Sequence, residues 1–551
     1  MSKNKIRVIV KKYQSNILFG ILFCVLMLLP DFVFEAVFKE IGYSTDIAFI
    51  AFLTAFGFCL SKAGSTTFCV VTTLLFLIEL IELCHIGYFG FPINPTDISK
   101  IWGERGDVLE SGLAAACDLW FVPLLTVGVF LVLGVVFFKY RRKFGFSAAA
   151  VLVVLVCLSI KPERAMRKDL KAFLPSPTRY SLHNAVNTFS FFAVKGWRVE
   201  PIEKIVPIDF WKPYALTNVT EFQGGDIVLI MGESTASRMM SLFGHPQKTT
   251  PFLDSLQGEN FKAVPAVSSA VSTHSALPLF FNTVREPGNV RKIHSKTANL
   301  FKAAKAAGYK THFISAQNAL QTHQIGTEFI DDVRTREDNA LCFRADGDRC
   351  LVGMLDKILS DKTRKHFVVL NFKAVHSPYA SVYEDDDRFA VFQGDKNNAF
   401  ARKRAEYENA LLWTDDVIKR LLTVFRKYDD RGGVFAMTSD HGENTGENGK
   451  WGHNLLDLET AKVPFFVYSQ SVVKLGLPDN REITHYEIGK WMLSLFGKRL
   501  DNPNEDGKTF YIHGNNLYQD YDFLKTERGR DGLIAVLNGD VVSRLTGFGK
   551  K

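Results

Sequence analysis

Hydrophobic residues are spread so unevenly along this chain of 551 residues that a boundary stands near residue 160. Before it, apolar runs fall at about residues 15–38, 44–60, 66–83, 119–138 and 144–160, each near the ~20 residues a helix needs to cross a bilayer. In lipid only helices and closed barrels satisfy their own backbone polar groups. Residues 1–160 are therefore expected to form an α-helical five-span membrane domain with an outer loop at 86–118. The first run reads as a span rather than a cleaved leader, because no small-residue cleavage site follows it and four more runs do.

Basic residues set the orientation. Lys3, Lys5, Arg7, Lys11 and Lys12 precede the first run, Lys62 lies between the second and third, and Lys139, Arg141, Arg142 and Lys143 join the fourth to the fifth. Those segments carry no acid and face the cytoplasm by the positive-inside rule, which puts everything after about residue 161 outside. Net charge enters here: 66 Lys+Arg against 58 Asp+Glu give +8, but without those ten cations 56 remain against 58. The basic excess is thus a matter of topology and lends nucleic-acid binding no support.

Cys24, Cys59, Cys69, Cys84, Cys117 and Cys157 lie in or beside the apolar runs, where a thiol serves as a small apolar filler. Cys342 and Cys350 stand eight apart in LCFRADGDRC, whose Asp346-Gly347 can turn the chain back. In an oxidising compartment they are expected to form a disulfide, two free thiols being the alternative.

In the third run Glu79 and Glu82 share a helical face, with His85 three residues further on. Carboxylates at that depth are costly; these either sit at the outer interface or line a lipid headgroup site. The loop after them carries Trp102, Glu104, Arg105 and Asp107, suited to an amphipathic segment on the membrane surface. Residues 161–224, rich in proline and holding NTFSFFAVKGW, read as an interfacial linker. From residue 225 strands expected at 226–231, 309–315, 366–372, 434–438 and 463–468 alternate with helices at 296–307, 351–360, 401–428 and 485–496. That rhythm gives an outer α/β domain, 225–551, with a mostly parallel covered sheet.

Chemistry gathers at the ends of these strands, the edge at which open α/β sheets bind ligands. GVFAMTSDHGENTGENGKWGH, residues 433–453, places Asp440 and His441 just past a buried strand. A carboxylate beside an imidazole suits Zn²⁺ or Mn²⁺ better than Ca²⁺ or Mg²⁺. Alone, DHG more often means an Asp capping a turn beside a surface His. But Glu233 ends another strand in DIVLIMGESTASRMMSLFGHPQKTTPFLDSL, and His376 follows a third in VVLNFKAVHSPYA. In AVSSAVSTHSALPLFF, Thr273 or a neighbouring Ser falls at a helix N-terminus, where backbone N–H groups welcome an anion. Two carboxylates and one imidazole around a divalent ion leave a fourth position, and a hydroxyl there would be acidified into a nucleophile for phosphorus. His376 and His453 could neutralise phosphoryl oxygens, pass protons to the leaving group or bind a second ion. Ser234, Ser272 and Ser275 are the rival nucleophiles.

With these motifs together, the chain resembles the membrane phosphoethanolamine transferases of Gram-negative bacteria, within the alkaline phosphatase and sulfatase superfamily. The resemblance spans nearly the whole chain and rests on GESTASRMMSLFGHPQKTTPFLDSL, STHSALPLFF, AVHSPY, YENALLWTDDVI and SDHGENTGENGKWGH. It implies Zn²⁺ held by Glu233, Asp440 and His441 with Thr273, Thr273 carrying the phosphoethanolamine, and His376 and His453 contacting phosphate. It makes Cys342–Cys350 one of the family's disulfides, and gives Thr96, Lys100, Glu104 and Asn318 as substrate contacts. It further implies a phosphatidylethanolamine donor, a lipopolysaccharide acceptor, and an inner-membrane protein whose catalytic domain is periplasmic. Members that modify lipid A carry several disulfides, whereas this outer domain can make one, and the GEST…MSLFG wording is closer to members acting on the core. A phosphoglycerol transferase or a sulfatase-like hydrolase would share the fold, although no C/S-x-P-x-R pattern lies near residue 273. A non-catalytic lipid-sensing relative would have lost a ligand or the nucleophile, and here every position is filled.

Overall fold

The computed structural model describes residues 3–37, 43–89, 92–93, 95, 98, 112, 119–168, 172–173, 175–176, 179–196, 211–220, 222–256, 258, 260–288, 290–395, 398–447, 450–453, 455–470, 472–478, 481–514 and 523–536. Thr96, Lys100, Trp102, Glu104, Arg105, Asp107 and Cys117 lie outside the described residues, as does part of the expected linker. The chain divides into two units, residues 1–200 with 447–451, and residues 201–446 with 452–551.

In the first unit each apolar run is helical: α1 (Lys3–Val37), α2 (Ile47–Lys62), α3 (Ser65–Phe89), α4 (Phe121–Phe144) and α5 (Ala148–Arg167), followed by α6 (Ser181–Phe191). Among the described residues, three stretches are long and apolar enough to cross a bilayer: Lys11–Ala36, Ser65–Tyr88 and Phe121–Phe144. The five expected spans thus reduce to three by this measure. With 16 residues, α2 is about 24 Å long, short of the ~30 Å core. The last two turns of α5 carry Lys161, Glu163, Arg164 and Arg167. A Cβ on Gly20 would lie 2.4 Å from the Thr54 carbonyl, so α1 and α2 meet backbone to backbone, as membrane helices do over small residues. Phe68 stacks on Phe137 with ring centroids 3.7 Å apart. Leu18, Val25, Val70, Leu74, Leu131 and Val135 face outward and exposed, an apolar surface suited to lipid.

The second unit is built on an eight-stranded sheet. In chain order its strands are β1 (Ile227–Gly232), β2 (Phe261–Val267), β3 (Lys310–Ser315), β4 (Asp332–Arg334), β5 (His366–Asn371), β6 (Val434–Ser439), β7 (Lys462–Tyr468) and β8 (Ile483–Thr484). They lie side by side as β8-β2-β7-β6-β1-β5-β3-β4. Only β7 runs against its neighbours β2 and β6; the other pairings are parallel. Every residue of β1, β5 and β6 is buried, the continuous apolar run that a strand covered on both faces requires. The helices α7 (Thr273–Phe281), α8 (Leu300–Ala306), α9 (Cys350–Leu359), α10 (Ala399–Tyr428) and α11 (His485–Leu495) accompany the sheet, with Phe280, Phe281, Phe301, Phe313, Phe367 and Trp491 in its core. The C-terminal region adds an antiparallel sheet of β9 (Thr509–His513), β10 (Phe523–Arg528) and β11 (Ile534–Val536). Cys342 and Cys350 form the expected disulfide.

Candidate active site

Strand order brings distant residues to one edge. β1 is flanked by β5 on one side and β6 on the other, all parallel, so the residues following their carboxyl ends converge. Glu233 follows β1, and Asp440 and His441 follow β6, with the Asp440 N–H donating to the Gly232 carbonyl (3.0 Å). A Cβ on Gly442 would lie 2.5 Å from the Lys462 carbonyl, so the turn after His441 admits glycine alone. Ser234 holds a φ of +52°, strained for a non-glycine residue, and Tyr407 of α10 bridges the turn, donating to the Ser234 carbonyl (2.6 Å) and accepting from the Ala236 N–H (2.9 Å).

Thr273 opens α7, and the segment leading to it is tied down from two sides. His513 of β9 takes the Val271 N–H on its carbonyl (3.0 Å) and donates its own N–H to Ser269 (2.8 Å). The Ser268 hydroxyl donates to the Asp440 carbonyl and meets the His485 ring. So anchored, Thr273 Oγ1 lies 3.3 Å from Glu233 Oε2 and 3.2 Å from His441 Nε2. His441 Nε2 is 3.5 Å from Glu233 Oε1 and 3.4 Å from Asp440 Oδ2. Of the rival hydroxyls, Ser234 donates to Glu233 Oε1 (2.9 Å), while the buried hydroxyls of Ser272 and Ser275 find no hydrogen-bond partner.

The donor set fits a divalent ion. His441 Nδ1 lies 2.9 Å from the Gly442 carbonyl, which can only accept, so Nδ1 carries the proton and the Nε2 lone pair points at Glu233 and Asp440. Asp440 Oδ1 accepts from the His441 and Ser234 N–H groups, whereas its Oδ2, fully buried, has no hydrogen-bond donor. Burial, then the neighbouring Asp440 charge, pushes Glu233 up to about 7. Burial likewise lifts Asp440 to about 6 and, with His453 next, lowers His441 to about 4. Burying two carboxylates without a cation is costly, and a bound ion offsets that cost.

Around this group stands a row of imidazoles. The His453 ring centroid is 4.4 Å from that of His441 and 5.7 Å from that of His376. His376 Nδ1 donates to the Ser377 carbonyl (2.6 Å) and His453 Nδ1 meets Glu443 Oε2 (3.0 Å), which fixes the orientation of both rings. Glu233, His441 and His453 present ligand atoms within 4.8 Å of one another, so His453 stands near enough to ligate as well as to contact phosphate.

Two participants carry no role in the sequence reading, Gln317 outside the motifs and Glu443 within the SDHGENTGENGKWGH run. Gln317, after β3, donates to Glu233 Oε2 (2.8 Å) and to the Phe372 carbonyl (2.7 Å). Glu443 orients His453 and is itself held by the Tyr379 hydroxyl. Asn318, expected to touch substrate, caps the Leu320 N–H with its side-chain oxygen (3.0 Å).

Residues 226–498 match the sulfatase family. Among proteins of similar sequence, YhbX of Escherichia coli O157:H7 is 24% identical over 84% of this chain and 86% of its own length. Phosphoethanolamine transferase EptA of Helicobacter pylori is 21% identical over 86% of this chain and 92% of its own. Among solved structures, the integral membrane protein lipooligosaccharide phosphoethanolamine transferase A of Neisseria meningitidis superposes with a TM-score of 0.57 at 17% identity, covering 88% of this chain and 95% of that one. At that identity the likeness is one of fold.

Proposed function

Starting from a chain whose residues 226–498 are a domain of the sulfatase and alkaline phosphatase superfamily, we propose that it moves phosphoethanolamine from phosphatidylethanolamine to a lipopolysaccharide acceptor through a phosphothreonine intermediate. The observation that supports this is the meeting of Thr273 Oγ1 with Glu233 and His441 beside an Asp440 oxygen that no donor satisfies. Glu233, Asp440 and His441 would hold the zinc. When bound, the ion supplies the positive charge that acidifies a neighbouring hydroxyl and offsets charge on phosphoryl oxygens.

The chain's own residues account for the rest. Thr273 Oγ, whose proton has already been lost to solvent, attacks phosphorus as the alkoxide, and the bond from phosphorus to the diacylglycerol oxygen breaks; the same alkoxide is regenerated when Thr273 is released. The leaving oxygen takes a proton from the imidazolium of His376 or His453, whose Nδ1 atoms are held by the Ser377 carbonyl and Glu443. An acceptor oxygen then attacks the same phosphorus, gives up its proton to that imidazole, and Thr273 is released. Splitting one displacement into two lets one site serve two substrates in turn. The apolar helices would keep the enzyme in the bacterial inner membrane that supplies the donor, with residues 225–551 acting in the periplasm.

Thr273→Ala decides the nucleophile. Transfer of labelled headgroup should be abolished while zinc content and thermal unfolding stay as in wild type, and a peptide containing residue 273 from trapped wild-type enzyme should carry the added phosphoethanolamine. Wild-type turnover in Thr273→Ala, or a mass shift on Ser234, Ser272 or Ser275 instead, would refute the assignment.

A further inference from the structure

The helical unit buries three carboxylates that the transfer chemistry leaves unused, Asp31, Glu79 and Glu82, and two of them share a partner. Asp31 of α1 and Glu79 of α3 are 0% and 2% exposed, and Ser181, the first residue of α6, reaches both. Its backbone N–H donates to Asp31 Oδ1 (2.9 Å) and its hydroxyl to Glu79 Oε1 (2.7 Å). The other two oxygens, Asp31 Oδ2 and Glu79 Oε2, have no hydrogen-bond partner, and among the described residues neither carboxylate belongs to an ion pair. The positive end of α6 offsets part of the Asp31 charge; nothing comparable serves Glu79.

What stands beside this pair narrows the ligand. The Tyr43 hydroxyl is turned toward Asp31, with Glu79 and Glu82 also close. Its ring stacks on Tyr180 (5.8 Å between centroids), Tyr180 on Phe49 (6.0 Å) and Phe49 on His183 (4.9 Å). Ring faces next to carboxylates recognise organic cations. A calcium ion would want six to eight oxygens and a magnesium ion an octahedron, more than two carboxylate oxygens and a phenol supply. A primary ammonium has three N–H donors and no acceptor, and three buried acceptors stand ready.

We propose that this buried cluster binds the primary ammonium of a phospholipid headgroup, with its N–H donors on Asp31 Oδ2, Glu79 Oε2 and the Tyr43 hydroxyl. The identity of that lipid as phosphatidylethanolamine rests on the proposed donor. Asp31 lies six residues before the end of α1, about 9 Å at 1.5 Å per residue, which is within headgroup reach of an interface.

The test measures retention and needs no turnover. Full-length protein in detergent is offered equimolar phosphatidylethanolamine, its mono- and dimethyl derivatives, phosphatidylcholine and phosphatidylglycerol, and the bound lipid is counted by native mass spectrometry. Wild type should keep phosphatidylethanolamine over phosphatidylcholine by about tenfold or more, as expected when charge-assisted hydrogen bonds are lost, with retention falling at each added methyl. Asp31→Asn and Glu79→Gln leave an acceptor for Ser181 yet remove the charge, and each should erase most of that preference at an unchanged melting temperature. Should either variant fail to fold, the methyl series on wild type decides by itself. Equal retention of phosphatidylethanolamine and phosphatidylcholine, or an unaltered preference in both folded variants, would overturn the proposal. Thr273→Ala should retain lipid like wild type, so a failure of the transferase reading and a failure of this cluster are read from separate measurements.

Discussion

Glu233 Oε2 accepts hydrogen bonds from Gln317 and Thr273, which belong to different elements. If Glu233 ligates a metal, Gln317 fixes the direction in which its carboxylate points, and the loss of such an outer partner costs about 10–100-fold in metal affinity. Gln317→Leu should weaken zinc binding by that order in a competition against a chelator; unchanged affinity would mean that Glu233 orients itself. A second measurement addresses the ion directly. A ligand that binds only the folded state adds about 2.7 kcal/mol when its free concentration is a hundred times its Kd. Zinc-stripped protein should therefore melt lower than the reloaded protein, and His441→Ala should abolish the difference. Glu233, Asp440 and His441 were legible in the sequence because each ends a short apolar strand in a recognisable run. Gln317 was not. It stands 84 residues from Glu233, and an amide carries no ionic signature.

The turn that carries His376 leaves β5 under the control of an acid from the disulfide loop. Asp348, between Cys342 and Cys350, takes the Lys373 N–H on both oxygens (3.1 Å each) and the Ala374 N–H on one (2.9 Å). Burial pushes Asp348 up to about 7 from its ordinary 3.8, against the pull of those N–H donors. The folded state thus keeps a proton that the unfolded chain has lost, so the contribution to stability is complete below about pH 4 and disappears as pH rises through 7. Asp348→Asn has no such titration. The melting temperature of wild type minus that of the variant should fall steadily from pH 4 to pH 7; a constant difference would mean that Asp348 keeps its ordinary acidity. The strands that position the site were readable because β1, β5 and β6 each carry a continuous apolar run, Ile227–Met231, Phe367–Leu370 and Val434–Met437. β2 escaped notice, since Lys262 and Pro265 interrupt it and Pro265 pairs with Pro464 of β7, and proline inside a run argues against a strand. β4 and β8 have three and two residues, too few for any periodicity, and the C-terminal sheet pairs strands whose alternation is broken by Lys525 and Arg528.

The two units have separate cores, one of helix-borne phenylalanines and leucines and one around the eight-stranded sheet. The uneven hydrophobicity of the sequence marked that division, although it gave no hint that residues 447–451 group with the helices. A core that closes on its own side chains folds alone, so a chain begun near Trp211 should melt cooperatively and bind zinc as the full-length protein does. Its chemistry should survive as well: with a short-chain, water-soluble phosphatidylethanolamine at saturating concentration, where loss of the ammonium site in the first unit no longer limits binding, headgroup transfer by the truncated and full-length proteins should agree within about threefold, because Glu233, Thr273, Asp440 and His441 all belong to the second unit. Against donor in a bilayer the two should part. Residence in the membrane turns the encounter with donor into a local one, a gain of about 10²–10⁴ by effective concentration, and the truncated protein forfeits it. Measuring both donors with both proteins separates the roles. Equal rates on bilayer donor would leave the helices no part in substrate delivery, and loss of activity on the soluble donor would place a residue essential to chemistry within the first 200.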